Sequence, residues 1–211
     1  MIDKRPNESY QEWRDRVIDK ISPSFCGAKW YNATIWLNSG STASCHHPPA
    51  HKIPLDEVKN NFKAIHNTKY KKMVRKQMLE GERPKECEYC WKVEDLGKNY
   101  VSDRTYKSVI YKEEALEEAS KMDWQDDVPL KTLEIAFDAN CNLACSYCNA
   151  SFSTQWQNDI KKNGSYQNLV SDGARAFQQD GSWAMKYGKK NEGNPYIDAF
   201  FKWWDEELKD T

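Results

Sequence analysis

Residues 133–148 read LEIAFDANCNLACSYC. Leu133, Ile135 and Phe137 alternate with Glu134 and Ala136, the two-residue period of a strand, and the chain then enters Asp138-Ala139-Asn140-Cys141. A loop carrying Cys141, Cys145 and Cys148 therefore leaves the C-terminal end of that strand. Three thiolates so closely spaced suit three corners of an iron-sulfur cube and leave the fourth iron without a protein ligand. An open, Lewis-acidic iron can chelate a small molecule through an amine and a carboxylate, the arrangement needed to pass one electron to a bound sulfonium. The competing reading is a structural zinc knuckle that borrows its fourth ligand from elsewhere. The x3-x2 spacing matches common zinc hairpins poorly.

Outward from this loop, composition narrows the class. A chain of 211 residues can bury one large core or two modest ones, so length alone does not choose. With 39% hydrophobic residues, 30% charged residues and a mean hydropathy of -0.93, the expectation is a polar, soluble protein whose packing leans on its nine Trp and eleven Tyr. A formal net charge of -1 supplies no global field for nucleic acid or an anionic membrane, and neither is expected as a partner. The opening MIDKRPNESYQEWRDRVIDK is charged throughout and lacks the apolar run of a signal peptide or membrane span. The chain is expected in the cytoplasm, where thiols stay reduced. Seven cysteines there point to metal ligation or catalysis rather than to disulfides. They separate into Cys26, Cys45, Cys87 and Cys90, and the three of the loop.

The remaining pattern predicts several elements. Tyr10, Trp13 and Val17 recur at helical spacing within residues 7–20, with Asn7 as the candidate cap. Residues 31–37 (YNATIWL) read as a strand running into the turn Asn38-Ser39-Gly40. From Leu55 to Glu80, the apolar positions Leu55, Val58, Phe62 and Ile65, then Tyr70, Met73 or Val74, and Met78, predict two consecutive helices stopped by Gly81 and Pro84. The lysine-rich run Lys69 to Lys76 reads as a solvated helix face rather than a nucleic-acid contact. Residues 112–122 (KEEALEEASKM) predict another helix, and a boundary is expected near residues 123–130. Asn194-Pro195 starts a last helix whose Ile197, Phe201, Trp204 and Leu208 form one apolar stripe. Residues 161–194, rich in Gly, Asn, Ser and Lys, predict a flexible excursion.

Cys26, Cys45, Cys87 and Cys90 make a complete set of four soft ligands, acceptable to iron-sulfur chemistry and to zinc alike. His46 and His47 follow Cys45 directly. Replacement of a thiolate by one of them is the weaker reading, because four cysteines already close the shell.

On these motifs the chain resembles the radical S-adenosylmethionine superfamily, whose signature is CxxxCxxC after the first barrel strand, usually with an aromatic residue before the last cysteine. CNLACSYC carries Tyr147 in that place. The resemblance implies that Cys141, Cys145 and Cys148 ligate a catalytic 4Fe-4S cluster, and that Tyr147 packs near the adenine of S-adenosylmethionine. The cosubstrate is then cleaved reductively to methionine and a 5'-deoxyadenosyl radical, and no protein side chain is singled out as catalytic. The order of Cys26, Gly40, Cys45 and the Cys87-x2-Cys90 pair resembles the twitch and SPASM auxiliary-cluster domains attached to many such enzymes. A twitch-like unit with one auxiliary 4Fe-4S cluster is the closer match, with zinc as the alternative. In that family the auxiliary domain usually follows the barrel, whereas here it precedes it.

The expected architecture is α/β (α+β overall). A small mixed metal-binding domain over residues 1–125 precedes the first strand-helix units of an incomplete (β/α) barrel over 126–211. A full or partial barrel needs on the order of 200 residues beyond its first strand, and far fewer follow here. The Gly-Gly-Glu-like segment that family members carry after the second strand does not occur either. The chain is therefore expected to be an N-terminal piece, completed by further sequence or by a second polypeptide. The implied partners are an electron donor such as a flavodoxin or ferredoxin and a peptide or protein substrate. A non-catalytic zinc- or iron-sulfur-binding scaffold, or a subunit of a split enzyme, is the alternative. Metal analysis of anaerobically prepared protein separates these readings. About eight irons per chain are expected for two clusters, and about four irons with one zinc would leave the four-cysteine set as a zinc site.

Overall fold

The computed structural model describes residues 4–138, 140–150, 152–168 and 193–210. The chain is a mixed α+β protein whose residues fall into two compact units, one of Met1–Ile35, Ser41–Glu134 and Ala199–Thr211, the other of Trp36–Gly40 and Ile135–Asp198.

In the first unit, α1 (Tyr10–Arg16) starts at a capping box: Ser9 Oγ accepts from Glu12 N at 3.1 Å and Ser9 N donates to Glu12 Oε2 at 2.7 Å. The cap expected at Asn7 thus lies two residues further on, and Asn7 itself takes a left-handed turn with φ of 65°. The expected single helix is broken at Val17 into α1 and α2 (Ile18–Ile21). After α3 (Gly27–Tyr31), a four-stranded sheet is built from β1 (Asn32–Trp36), β2 (Ser41–Ala43), β3 (His51–Lys52) and β4 (Thr132–Ala136) in the order β3-β2-β1-β4. β2 and β3 pair antiparallel, with Ser41 opposite Lys52. Lys131 N donates to Tyr31 O at 3.0 Å and Thr34 Oγ1 to Glu134 Oε2 at 3.0 Å. Positions that rise together on both strands make β1 and β4 parallel.

Helices α5 (Lys69–Leu79) and α8 (Glu113–Lys121) follow the expected punctuation, with Gly81 at φ of 81° just past α5, whereas α4 (Leu55–Asn60) ends earlier than expected and α6 (Glu88–Glu94) and α7 (Asp103–Ser108) were not anticipated. α5 buries Val74 and Met78 as expected, but its lysine-rich face is not wholly solvated. Lys71 and Arg75 are buried beside Val74 and Met78, while Tyr70 and Met73 are nearly half exposed. Each buried cation has polar company: Lys71 Nζ donates to Thr42 Oγ1 at 2.9 Å, and Arg75 donates to Lys29 O at 2.9 Å and to Asn67 Oδ1 at 2.7 Å. The main core gathers Trp13, Ile18, Phe25, Trp30, Met78, Trp91 and Leu116, and it includes Cys26 and Cys90.

The last helix, α10 (Pro195–Glu206), also departs from the expected stripe. Ala199, Phe200 and Trp203 are buried, whereas Phe201 and Trp204 are about half exposed. The inward face is fixed within the first unit by Trp203, whose ring lies parallel to that of His66 at 6.2 Å, and by the ion pair of Lys63 with Glu207.

In the second unit, the turn after β1 ends at Gly40, whose φ of 59° favours glycine. A Cβ there would lie 2.1 Å from the Tyr196 ring, so any other residue would have to displace that ring. Beyond β4 come the three-cysteine loop and α9 (Thr154–Asn163), with a small cluster of Ala150, Ile160, Trp156 and Tyr166 beneath. Most of the predicted excursion over 161–194 lies outside the described residues. Among the described residues no helix is long and apolar enough to cross a membrane.

Leu116 is fully buried and Leu96 is 68% exposed. Leu116→Ala is expected to cost about 2–5 kcal/mol, and Leu96→Ala to stay within about 0.5 kcal/mol, in chemical denaturation of the two variants.

Candidate metal centres

The three-cysteine loop is held through its peptide groups. Thr154 Oγ1 accepts from Cys141 N at 3.0 Å and donates to Cys141 O at 2.9 Å, and Gln155 N donates to the same carbonyl at 3.0 Å. Ser153 caps α9 by accepting from Trp156 N, and its hydroxyl donates to Leu143 O at 2.7 Å. Trp156 Nε1 donates to Cys145 O at 3.2 Å, Gln157 Nε2 to Ala150 O at 2.9 Å, and Cys148 N to Cys145 O at 3.0 Å. The start of α9 thus satisfies the backbone and leaves the sulfurs free for other work. Cys141 Sγ and Cys148 Sγ make only long contacts to carbonyls, at 3.9 and 3.7 Å. All three thiols are partly exposed.

Tyr147 is 90% exposed. Its hydroxyl bonds the Cys145 thiol, and Cys145, with smaller contributions from Cys148 and Cys141, raises its pKa. The phenol and the three sulfurs therefore share one surface region. A donor set of three soft, accessible sulfurs on a peptide scaffold that is otherwise satisfied fits a cluster with three protein ligands.

The first unit brings Cys26, Cys45, Cys87 and Cys90 within electrostatic reach of one another. Burial pushes the Cys26 thiol up, and Cys45 adds to it. Burial likewise lifts Cys87 to about 12, with Cys26 and Cys90 contributing, and Cys90 to about 11, with Cys26 and Cys45 contributing. Without metal the Cys26, Cys87 and Cys90 thiols stay protonated at neutral pH, so metal uptake there must release protons and strengthens as pH rises. The sulfurs come from four places in the chain: the N-cap of α3, the end of β2, and both ends of the Cys87-Glu88-Tyr89-Cys90 turn into α6.

Residues that spacing did not reveal hold these sulfurs in place. Arg104 Nη1 donates to Phe25 O at 2.9 Å, and Gly27 N donates to Ser108 Oγ at 2.8 Å, so α7 grips the chain on both sides of Cys26. The Arg104 backbone N–H and the Ser102 hydroxyl engage the Cys90 sulfur. Lys29, buried one turn beyond Cys26, forms an ion pair with Glu86, the residue before Cys87.

Cys45 Sγ and ring nitrogens of His46 and His47 also lie within 4.8 Å of one another, so these histidines are alternative donors at the edge of the set. His47 donates from Nε2 to Asp103 at 2.7 Å and stacks on Tyr89 at 3.7 Å.

No family model, curated protein or solved structure matches this chain. The functional reading therefore rests on the two thiol centres themselves.

The two sets of anchors predict separable losses. Thr154→Val is expected to lower metal content at the loop while the four-thiol centre stays loaded. Arg104→Met leaves the enclosed Glu94 carboxylate without its cation, which is expected to cost about 3–5 kcal/mol and to empty the four-thiol centre first. Metal analysis and denaturation of both variants check this.

Proposed function

We propose that this chain carries the cluster-binding strand and loop of a radical S-adenosylmethionine enzyme, joined to an auxiliary metal centre. The observation that carries the reading is the loop after β4, a strand paired parallel to β1, whose three sulfurs are partly exposed while its peptide groups are held by Ser153, Thr154, Trp156 and Gln157. In this reading β4 and α9 are the first strand-helix unit of a (β/α) barrel. Cys141, Cys145 and Cys148 hold a 4Fe-4S cluster, and Tyr147 lies beside the nucleotide. Bound there, such a cluster would supply the electron for reductive cleavage of S-adenosylmethionine. The protein's share is to hold the sulfurs at fixed spacing and to leave one side of the loop open to a small molecule. An electron donor of the flavodoxin or ferredoxin kind, a peptide or protein substrate and a cytoplasmic location belong to the same proposal.

Cys26, Cys45, Cys87 and Cys90 hold the auxiliary centre. Cys26, Cys45 and Cys90 are buried and Cys87 is partly so, and a set of four thiolate donors suits an iron-sulfur cluster. The grouping of His46 and His47 with Cys45 favours a second reading, a zinc-binding scaffold without radical chemistry, because imidazole is a common zinc ligand.

Anaerobic reconstitution with iron and sulfide, followed by S-adenosylmethionine, separates them. The expected result is a change in the electron paramagnetic resonance spectrum of the dithionite-reduced loop cluster when the nucleotide is added, lost in Cys145→Ala, with 5'-deoxyadenosine formed on incubation. Zinc in the loop, or a spectrum indifferent to the nucleotide, overturns the enzyme reading.

A further inference from the structure

We propose that Lys29 is a positioning residue of the four-thiol centre, a buried cation set among its ligands that raises the reduction potential of an iron-sulfur cluster held there. This deepens the metal-binding reading of Cys26, Cys45, Cys87 and Cys90 and rests on it.

The placement is specific. Lys29 N donates to Cys26 O at 2.9 Å, which fixes the lysine one turn beyond the first ligand. Its side chain is 5% exposed and ends in the ion pair with Glu86, the neighbour of Cys87. The ammonium is thereby held between a segment bearing one ligand and a segment bearing another. Glu86 is pinned on its far side by the Tyr70 hydroxyl, which donates to Oε2 at 2.6 Å. The Glu86 carboxylate is the counter-charge of this ammonium, and both side chains are largely shut off from solvent.

A cluster on four thiolates is an anion, and each reduction adds negative charge. In a medium of low dielectric, a fixed cation nearby stabilises the reduced form more than the oxidised form, so the potential rises. Glu86 acts in the opposite sense from behind the lysine. Changing either partner should therefore move the potential in opposite directions.

The test uses the full chain with Cys141, Cys145 and Cys148 replaced by Ala, reconstituted with iron and sulfide, so that a redox titration followed by electron paramagnetic resonance reads the four-thiol centre alone. Lys29→Met, which keeps the apolar stem, is expected to lower the midpoint potential at unchanged iron content. Lys29→Arg is expected to stay near the parent value. Glu86→Gln, which keeps an acceptor for Tyr70, is expected to raise it, and it decides the matter should Lys29→Met fail to fold. Midpoints that do not move at full iron loading overturn the role of Lys29 and leave the auxiliary-cluster reading intact. Zinc in place of iron at the parent centre overturns both.

Discussion

The guanidinium of Arg104 is the contact on which the first unit's architecture turns. It is buried to 2% exposure and bonded to Glu94 through Nε and Nη2, each at 3.0 Å, to Asp19 at 2.8 Å and to Phe25 O at 2.9 Å, with its plane near the Trp91 ring. One side chain thereby joins α2, the segment entering α3, α6 and its own helix α7. A buried cation of this kind is tolerable only with its partners in place, and removing one strands the others. Since Phe25 and α6 flank Cys26 and Cys90, the same network that holds the fold aims two of the four sulfurs.

The two thiol centres solve different physical problems. At the loop, the backbone is restrained and the sulfurs face outward, which suits a site that must admit a small molecule. At the four-cysteine set, the sulfurs sit in or beside the aromatic core, and the surrounding polar groups, Ser102, the Arg104 amide and Lys29, address charge on sulfur. The proposed roles, an open iron at the loop and a closed centre at the four-cysteine set, draw on that difference between accessibility and enclosure.

Much of this was legible in the residue pattern wherever a single rule dominated. Alternation placed β4, a β-branched and aromatic run ending in a turn placed β1, and Pro, Gly and helix formers bounded α5 and α8 to within a few residues. Where two rules competed, the reading failed. In α5 the lysine count suggested a solvated face, but the sheet offers Thr42 and the backbone offers Lys29 O as partners, so Lys71 and Arg75 turn inward and the tyrosine stays out. In α10 two interleaved stripes of aromatics were available, and the contacts of Trp203 with His66 selected the one not expected. The anchors Ser153, Thr154, Trp156 and Gln157 were invisible because a polar helix start reads the same whether it caps only itself or also holds a loop. Lys29 and Arg104 were hidden for another reason: their partners are tens of residues away, and spacing carries no record of such pairs.

Cys26, Cys45, Cys87 and Cys90 span a long stretch of chain, and under the proposed reading a metal shared among them would close large loops in one step. Such a crosslink limits the unfolded chain far more than the folded one, in the manner of a set of disulfides, and its benefit grows with loop length. A newly made polypeptide lacking metal would breathe open more often and offer its core to proteases. The amount of this protein in a cell would then follow the supply of metal through degradation, before any question of catalysis arises.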